Sequence, residues 1–266
     1  MSYKDANIRV IPDEQGEGRY ATIQWITGEQ KMKKAGGVPY TGGLFIKAER
    51  CPDDFELPPG FTSGEISFDN GASELGYMGQ SAEIVLIRYR RRWALKNGAT
   101  QYLPWNQYKD GAKSQVQALV AVRGCNIPLT MAFNGKSKGE SFKAFIAAVD
   151  ALLARANEDN VGLRYPRLMF WIPVTSTAAL DPVKGFAQAV GKGGQSSLVT
   201  PMVIHPALGD LKAVTDHMLE KQYVGEAQLE RNQTWYEEAE EWAHSWDRGQ
   251  ALANREAEEQ GEDDLF

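Results

Sequence analysis

The six residues Arg88-Tyr89-Arg90-Arg91-Arg92-Trp93 put four guanidinium groups and two aromatic rings on one short stretch. A guanidinium pairs with phosphate through a planar fork, and a ring face accepts a stacked base. Together these groups can hold an unpaired nucleic acid, with stacking contributing about 1–3 kcal/mol per base whatever the base is. Side chains alternate along an extended chain, so Tyr89, Arg91 and Trp93 share one face, and Arg88, Arg90 and Arg92 share the other. All six are candidate contacts, with the Tyr89/Arg91/Trp93 face as the expected one. The competing reading is a strand whose rings are core and whose arginines are solvated. Three consecutive arginines weigh against it, because arginine is seldom buried without a partner.

Two further stretches combine rings or cations with loop character. Tyr102, Trp105 and Tyr108 recur every three residues, next to Lys109 and Lys113. Their rings are either open to bases, or Pro104-Trp105 plugs one end of the fold. Lys184 and Lys192 sit among Gly191, Gly193 and Gly194, a composition that suits a cationic flap or a plain loop. Asn134-Gly135-Lys136-Ser137 resembles part of a phosphate-binding P-loop, but Thr130 stands where the pattern needs its first glycine. Nucleotide hydrolysis is therefore excluded. Lys136 and Lys138, at the start of a helix with free N–H groups, can still touch a backbone phosphate.

Catalytic chemistry finds little support. His205, His217 and His244 have no metal-ligand spacing, and no nucleophile elbow or Ser/His/Asp arrangement is present. The expectation is a protein with no enzymatic activity, no metal and no cofactor. The alternative from a different class is a Mg²⁺-dependent nuclease using Asp69 with Glu74 or Glu140 with Asp150. A strand-annealing recombination protein is a third reading.

Charge is unevenly distributed. From Glu226 to Phe266 there are thirteen acids against three bases, a net charge of −10, so residues 1–225 carry +4 of the total −6. A mildly basic body followed by an acidic run suits a polyanion-binding domain with an interaction tail. The run closes on Asp263, Asp264, Leu265 and Phe266, an apolar pair behind acids that suits capture in a basic pocket with a greasy floor. This end resembles that of bacterial and phage single-stranded DNA-binding proteins. The resemblance implies a disordered acidic tail whose tip recruits replication, recombination and repair partners and competes with DNA for the protein's own groove. Two departures stand out: the chain is longer, and the tail lacks the proline common near that family's tip.

The elements that must position these residues follow from periodicity and turn chemistry. Residues 19–27, 42–49 and 64–69 read as short strands, separated by a basic glycine-hinged loop at 31–37 and a Pro-Pro-Gly turn at 58–60. Residues 81–95 read as one long strand, 96–113 as a loop, and 114–123 and 127–133 as a hairpin. A helix is expected over 138–157, where Phe142, Phe145, Ile146, Val149, Leu152 and Leu153 fall at helical spacing behind a capping box of Ser137 and Glu140. Strands follow at 167–175 and 198–205, with Pro173 arguing for an edge or a bulge in the first. Helices are expected at 210–221 and 228–248. In the second, Trp235, Ala239, Trp242 and Trp246 form a stripe that docks on the body or another subunit, or captures a partner in a basic groove.

From Ser81 onward this order, three strands, a helix and two strands, is that of an OB-fold, whose loops at 96–113 and 176–197 would flank the ligand. An α+β sandwich with the same order is the rival. The predicted class is mainly β with helices: an N-terminal β extension (1–80), an elaborated OB-fold barrel (81–208), a C-terminal helical segment (209–248) and a disordered acidic tail (249–266). No apolar run is long enough to span a membrane. The first residues lack the pattern of a signal peptide, and Cys51 and Cys125 are far apart in sequence. A cytoplasmic protein, in the bacterial host if phage-encoded, is the expectation, with oligomerisation left open.

Overall fold

One long strand, β5 (Ser81–Asn97), is the axis about which the other elements are arranged. The computed structural model describes residues 20–26, 43–67, 73–97, 99–105, 107–158, 164–176, 180 and 202–244. On one edge, β5 pairs along most of its length with β7 (Lys113–Val122), which pairs in turn with β8 (Leu129–Asn134). The other edge is shared. β9 (Ile172–Ser176) takes the first residues of β5, and β6 (Ala99–Pro104) takes the last. β10 (Met202–Ile204) adds to β9, and all these pairings are antiparallel. With β6 set aside as an insertion between β5 and β7, the order β9-β5-β7-β8 is a Greek key, β5, β7 and β8 pairing in turn and a fourth strand returning beside the first. The return passes through α1 (Gly135–Asn157).

β5 alternates until Ile87 and then changes phase. Leu86 pairs with Val120 and Arg88 with Leu119, so Ile87 is the extra residue of a β-bulge. Ile84 and Leu86 therefore face the same side as Tyr89, which stands opposite Ala118. On that side Phe142, Phe145, Val149 and Leu152 of α1 pack against Ile84, Val120, Met131 and Ile172 to form the main core. Each fully buried side chain of this size contributes about 1.5–3 kcal/mol. The opposite face of the sheet carries Val85, Ile87, Leu119 and Ala121, covered by Leu168, Trp171, Ala239 and Trp242. This cover comes from the residues just ahead of β9 and from the C-terminal segment, α3 (Glu226–Glu238) and, after a break at Ala239, a further helical stretch at 240–244. By contrast, α2 (Asp216–Gln222) lies by α1 with Met218 and Leu219 against the main core. The Thr215 hydroxyl caps α2 by accepting from Met218 N–H at 3.3 Å. Buried Asn232 ties α3 to the sheet side by donating to Leu168 O at 3.0 Å.

A second sheet, ordered β1 (Ile23–Ile26), β2 (Gly43–Lys47), β4 (Ser73–Gly79), β3 (Thr62–Ser67), closes over the main core with Ile23, Trp25, Leu44 and Ile46. It joins the first sheet at the outer edge of β8, where Thr130 N–H donates to Ala21 O at 2.8 Å and Thr22 bridges Thr130 in parallel. Among the described residues no strand links β8 to β10, so the ring is not closed. α1 lies against both of these strands.

The class is thus α+β, mostly antiparallel sheet, as expected. β4 and β6 are additions to the expected elements, and the stretch 96–113 is in large part a hairpin arm rather than a loop. Pro173 lies in β9, an interior strand rather than an edge. It sits where β10 has just ended, and His205 N–H donates to its carbonyl at 2.9 Å. No helix among the described residues is long and apolar enough to cross a membrane.

Candidate nucleic-acid interface

The pairing of β5 with β6 sets Arg92 opposite Pro104 and brings Trp105, the next residue, over the side chain of Trp93. Their rings stack with centroids 4.4 Å apart and planes 2° from parallel. Trp93 Nε1–H donates to Trp105 O at 2.5 Å, which fixes the register of the stack. Tyr108 meets Trp93 edge-on at 4.9 Å. Its loop is held by Gln107 N–H to Pro104 O and Ala112 N–H to Lys109 O, both 3.0 Å. Toward α1, Tyr89 packs edge-on against Phe142 at 5.4 Å. The Arg91 guanidinium lies between the two groups, 5.7 Å from the Tyr89 ring centroid and 5.8 Å from that of Trp105.

These rings are not sealed. Tyr89, Trp105 and Tyr108 are 37%, 43% and 58% exposed, and Arg91, Lys109 and Lys113 are exposed beside them. Arg91 has no carboxylate partner among the described residues. The structure thus brings Tyr89, Arg91, Trp93, Trp105 and Tyr108 onto one open surface, with Lys109 and Lys113 in its adjoining loop and strand.

Arg88, Arg90 and Arg92 point the other way; the first two clamp the C-terminal segment and Arg92 stays within the sheet. Arg88 Nε donates to Tyr236 O at 2.6 Å and its guanidinium covers the Tyr236 ring at 3.6 Å. Arg90, only 4% exposed, donates to Gln117 Oε1 at 2.8 Å and to Trp242 O at 3.0 Å, over the Trp242 ring. Arg92, 2% exposed, is bonded to Gln115 Oε1 and lies 3.4 Å from the centroid of Tyr102. The structure therefore separates Arg88, Arg90, Arg92 and Tyr102 from the open surface. Arg88, Arg90 and Arg92 form a ladder of cation–π pairs and carbonyl contacts, which offsets part of the cost of taking charge out of water. Of the stripe formed by Trp235, Ala239, Trp242 and Trp246, Ala239 and Trp242 dock on the body and Trp235 packs at the margin, while Trp246 lies outside the described residues.

Lys136 and Lys138 belong to the first turns of α1, and their side chains lie outside the described residues, as do Lys184, Lys192, Asp263, Asp264, Leu265 and Phe266. Of the carboxylates considered for a nuclease, Glu74 pairs with Lys47 at 2.7 Å, Glu140 with Lys143 at 3.0 Å and Asp150 with Arg167 at 3.0 Å. Asp69 lies outside the described residues. No group of three His, Cys, Asp or Glu among the described residues could hold a metal ion.

Two residues without any signal in the sequence, Arg167 and Tyr236, join Arg88, Tyr89, Arg91 and Trp105 around a cleft of about 820 Å³. Only their convergence in space marks them, since they lie in a 3-10 turn and a helix far apart in sequence. No family model, no curated protein and no solved structure matches this chain.

Proposed function

We propose that the chain binds single-stranded DNA with little regard to sequence, on the face of β5 that carries Tyr89, Arg91 and Trp93. The observation that carries this reading is the parallel-stacked Trp93–Trp105 pair, whose outer ring stays open beside Arg91, an arginine with no carboxylate partner among the described residues. A base extends that stack, and Arg91, Lys109 and Lys113 neutralise phosphates along it. No base-edge-reading element is required for such a grip. The Greek key of β9, β5, β7 and β8, with a fifth strand beside β9, supports an open OB-like barrel as its scaffold. The proposed contacts then lie on the first strand of that fold and in the β5–β7 connection, which corresponds to one of its ligand-flanking loops. Arg90 and Arg92 are left out of the binding surface, because Arg90 holds the C-terminal segment and Arg92 is buried against Gln115 and Tyr102.

The acidic run that follows this segment serves two further roles in the proposal. It screens the cationic face until DNA displaces it, and Asp263, Asp264, Leu265 and Phe266 engage replication or recombination proteins. The protein acts without catalysis, in the cytoplasm.

Quenching of tryptophan fluorescence by poly-dT tests the central claim, with duplex DNA and RNA as controls. Saturable quenching that weakens steeply with salt is expected. No quenching at low salt defeats it, and cleavage of labelled oligonucleotide with Mg²⁺ would favour a nuclease instead. Removing residues 256–266 should tighten binding, and equal or weaker binding rejects the screening role.

A further inference from the structure

β9 and β6 share one edge of β5 without meeting. β9 pairs only as far as Ile84, and β6 begins opposite Arg92. The chain ahead of β9 does not continue along this edge. Trp171 N–H goes instead to Gln222 O at 2.8 Å, and Phe170 bridges Tyr223. A slot is left in the sheet, opened further by the bulge at Ile87, which bends the strand there.

The slot is the cleft of about 820 Å³, walled by residues 166–168, by Trp105 and by Tyr236 and His244 of the C-terminal segment. That volume falls in the range of about 300–1,000 Å³ usual for small-ligand pockets. Its lining brings together three kinds of group. Tyr89 and Trp105 offer rings, with Tyr236 beside them under the Arg88 guanidinium. Arg91 offers a guanidinium with no carboxylate partner among the described residues, next to Arg167, whose exposed pair with Asp150 at 3.0 Å leaves further donors. The third is a stretch of strand edge, where main-chain donors and acceptors alternate.

We infer that this cleft binds a nucleotide. A nucleotide is the ligand class that uses all three: a phosphate for the guanidinium forks, a planar base for the rings, and a base edge for the main chain. An acidic peptide satisfies the arginines and the strand edge but leaves the ring faces uncovered. The cleft shares Tyr89, Arg91 and Trp105 with the proposed DNA surface and to that extent rests on the same reading, whereas Arg167 and Tyr236 lie outside that surface and test the cleft separately. The nucleotide is either one unit of a longer strand or a free monophosphate.

Calorimetric titration of the full chain with each 2′-deoxynucleoside 5′-monophosphate tests this, alongside thymidine and deoxyribose 5-phosphate. The monophosphates should bind at submillimolar levels, and the two fragments about tenfold more weakly, because each lacks one half of the recognition. Arg167→Gln and Tyr236→Leu change exposed positions, so the fold should survive, as circular dichroism would verify. Each should weaken monophosphate binding about tenfold, and Arg167→Lys should restore part of it. A final titration, in saturating oligo-dT, separates the sources. Displacement of the monophosphate assigns the cleft to a unit of the strand, and retention assigns it to a free nucleotide. The inference is overturned if no monophosphate binds at millimolar concentration, or if both variants bind as the parent does. It is also overturned if a polyglutamate peptide, but no nucleotide, binds in a manner sensitive to Arg167→Gln.

Discussion

Replacing Trp105 with alanine removes the outer ring of the stack while sparing the fold. The side chain is 43% exposed, and the hydrogen bond that Trp93 donates goes to the main-chain oxygen of Trp105, which alanine keeps. The loss is therefore confined to the surface offered to a base. One stacked base is worth about 1–3 kcal/mol, which is roughly a 5- to 150-fold rise in Kd. The Trp93 ring, uncovered by the change, offers a second face and recovers part of that, so the low end, about tenfold, is expected. The assay is fluorescence anisotropy of a labelled oligo-dT at several salt concentrations. Since no charge is altered, the slope of log K against log salt should match that of the parent protein. Arg91→Gln should do the reverse, lowering affinity modestly and flattening the slope by about 0.7, the increment for a single neutralised phosphate on an unpaired strand. A Trp105→Ala protein with parental stability and a Kd within twofold of the parent's would refute the assignment of this surface.

Other outcomes follow from interactions away from that surface. Arg90→Leu strips donors from Gln117 Oε1 and Trp242 O; hydrogen bonds from a charged group are worth about 1.5–3 kcal/mol each. The urea midpoint should fall accordingly while oligo-dT affinity holds, and a selective loss of affinity would show that Arg90 touches DNA after all. Gly124 has φ +88°, and an added Cβ would sit 2.7 Å from Pro59 Cδ, so Gly124→Ala should cost about 1–2 kcal/mol or more in chemical denaturation. Burial pushes the Cys125 thiol up to about 12, with Cys51 and Glu56 adding to the shift. In the unfolded chain this thiol ionises at an ordinary pH, so folding favours its protonated form. That contribution is fully present below about pH 8.5 and is lost as pH rises toward 12. Cys125→Ala should flatten the alkaline limb of the stability profile.

Much of the architecture is readable from local patterns. The long basic-aromatic strand, the 114–133 hairpin and the α1 helix all rest on periodicity sustained over many residues, where local preference and burial agree. β4 escapes such a reading because Ser73-Glu74-Leu75-Gly76-Tyr77-Met78-Gly79 is a weak strand former; its glycines are demanded by packing, since a Cβ at Gly76 would meet Ile46 O and the Phe45 ring. β6 escapes it because its polar residues gain their order from pairing with β5, a non-local cause. For the site, alternation alone separates Tyr89, Arg91 and Trp93 from Arg88, Arg90 and Arg92. It does not say which set stays open, because that depends on a helix more than a hundred residues away. The partnership of Trp93 with Trp105 is likewise hidden, since hairpin register creates it.

The extra residue at Ile87 carries a consequence for how this strand tolerates change in length. Counting by twos from Ile84 would send Arg88, Arg90 and Arg92 into the apolar interior and turn Tyr89, Arg91 and Trp93 toward the C-terminal helices. The kink absorbs one step of that count. Excising Ile87 would restore an unbroken ladder and leave both sets of side chains where they are, at the loss of one buried isoleucine. A one-residue deletion between Tyr89 and Trp93 would instead exchange inside for outside in everything downstream of it. Lineages of this chain should therefore accept shortening at a single point in the strand and reject it at its neighbours.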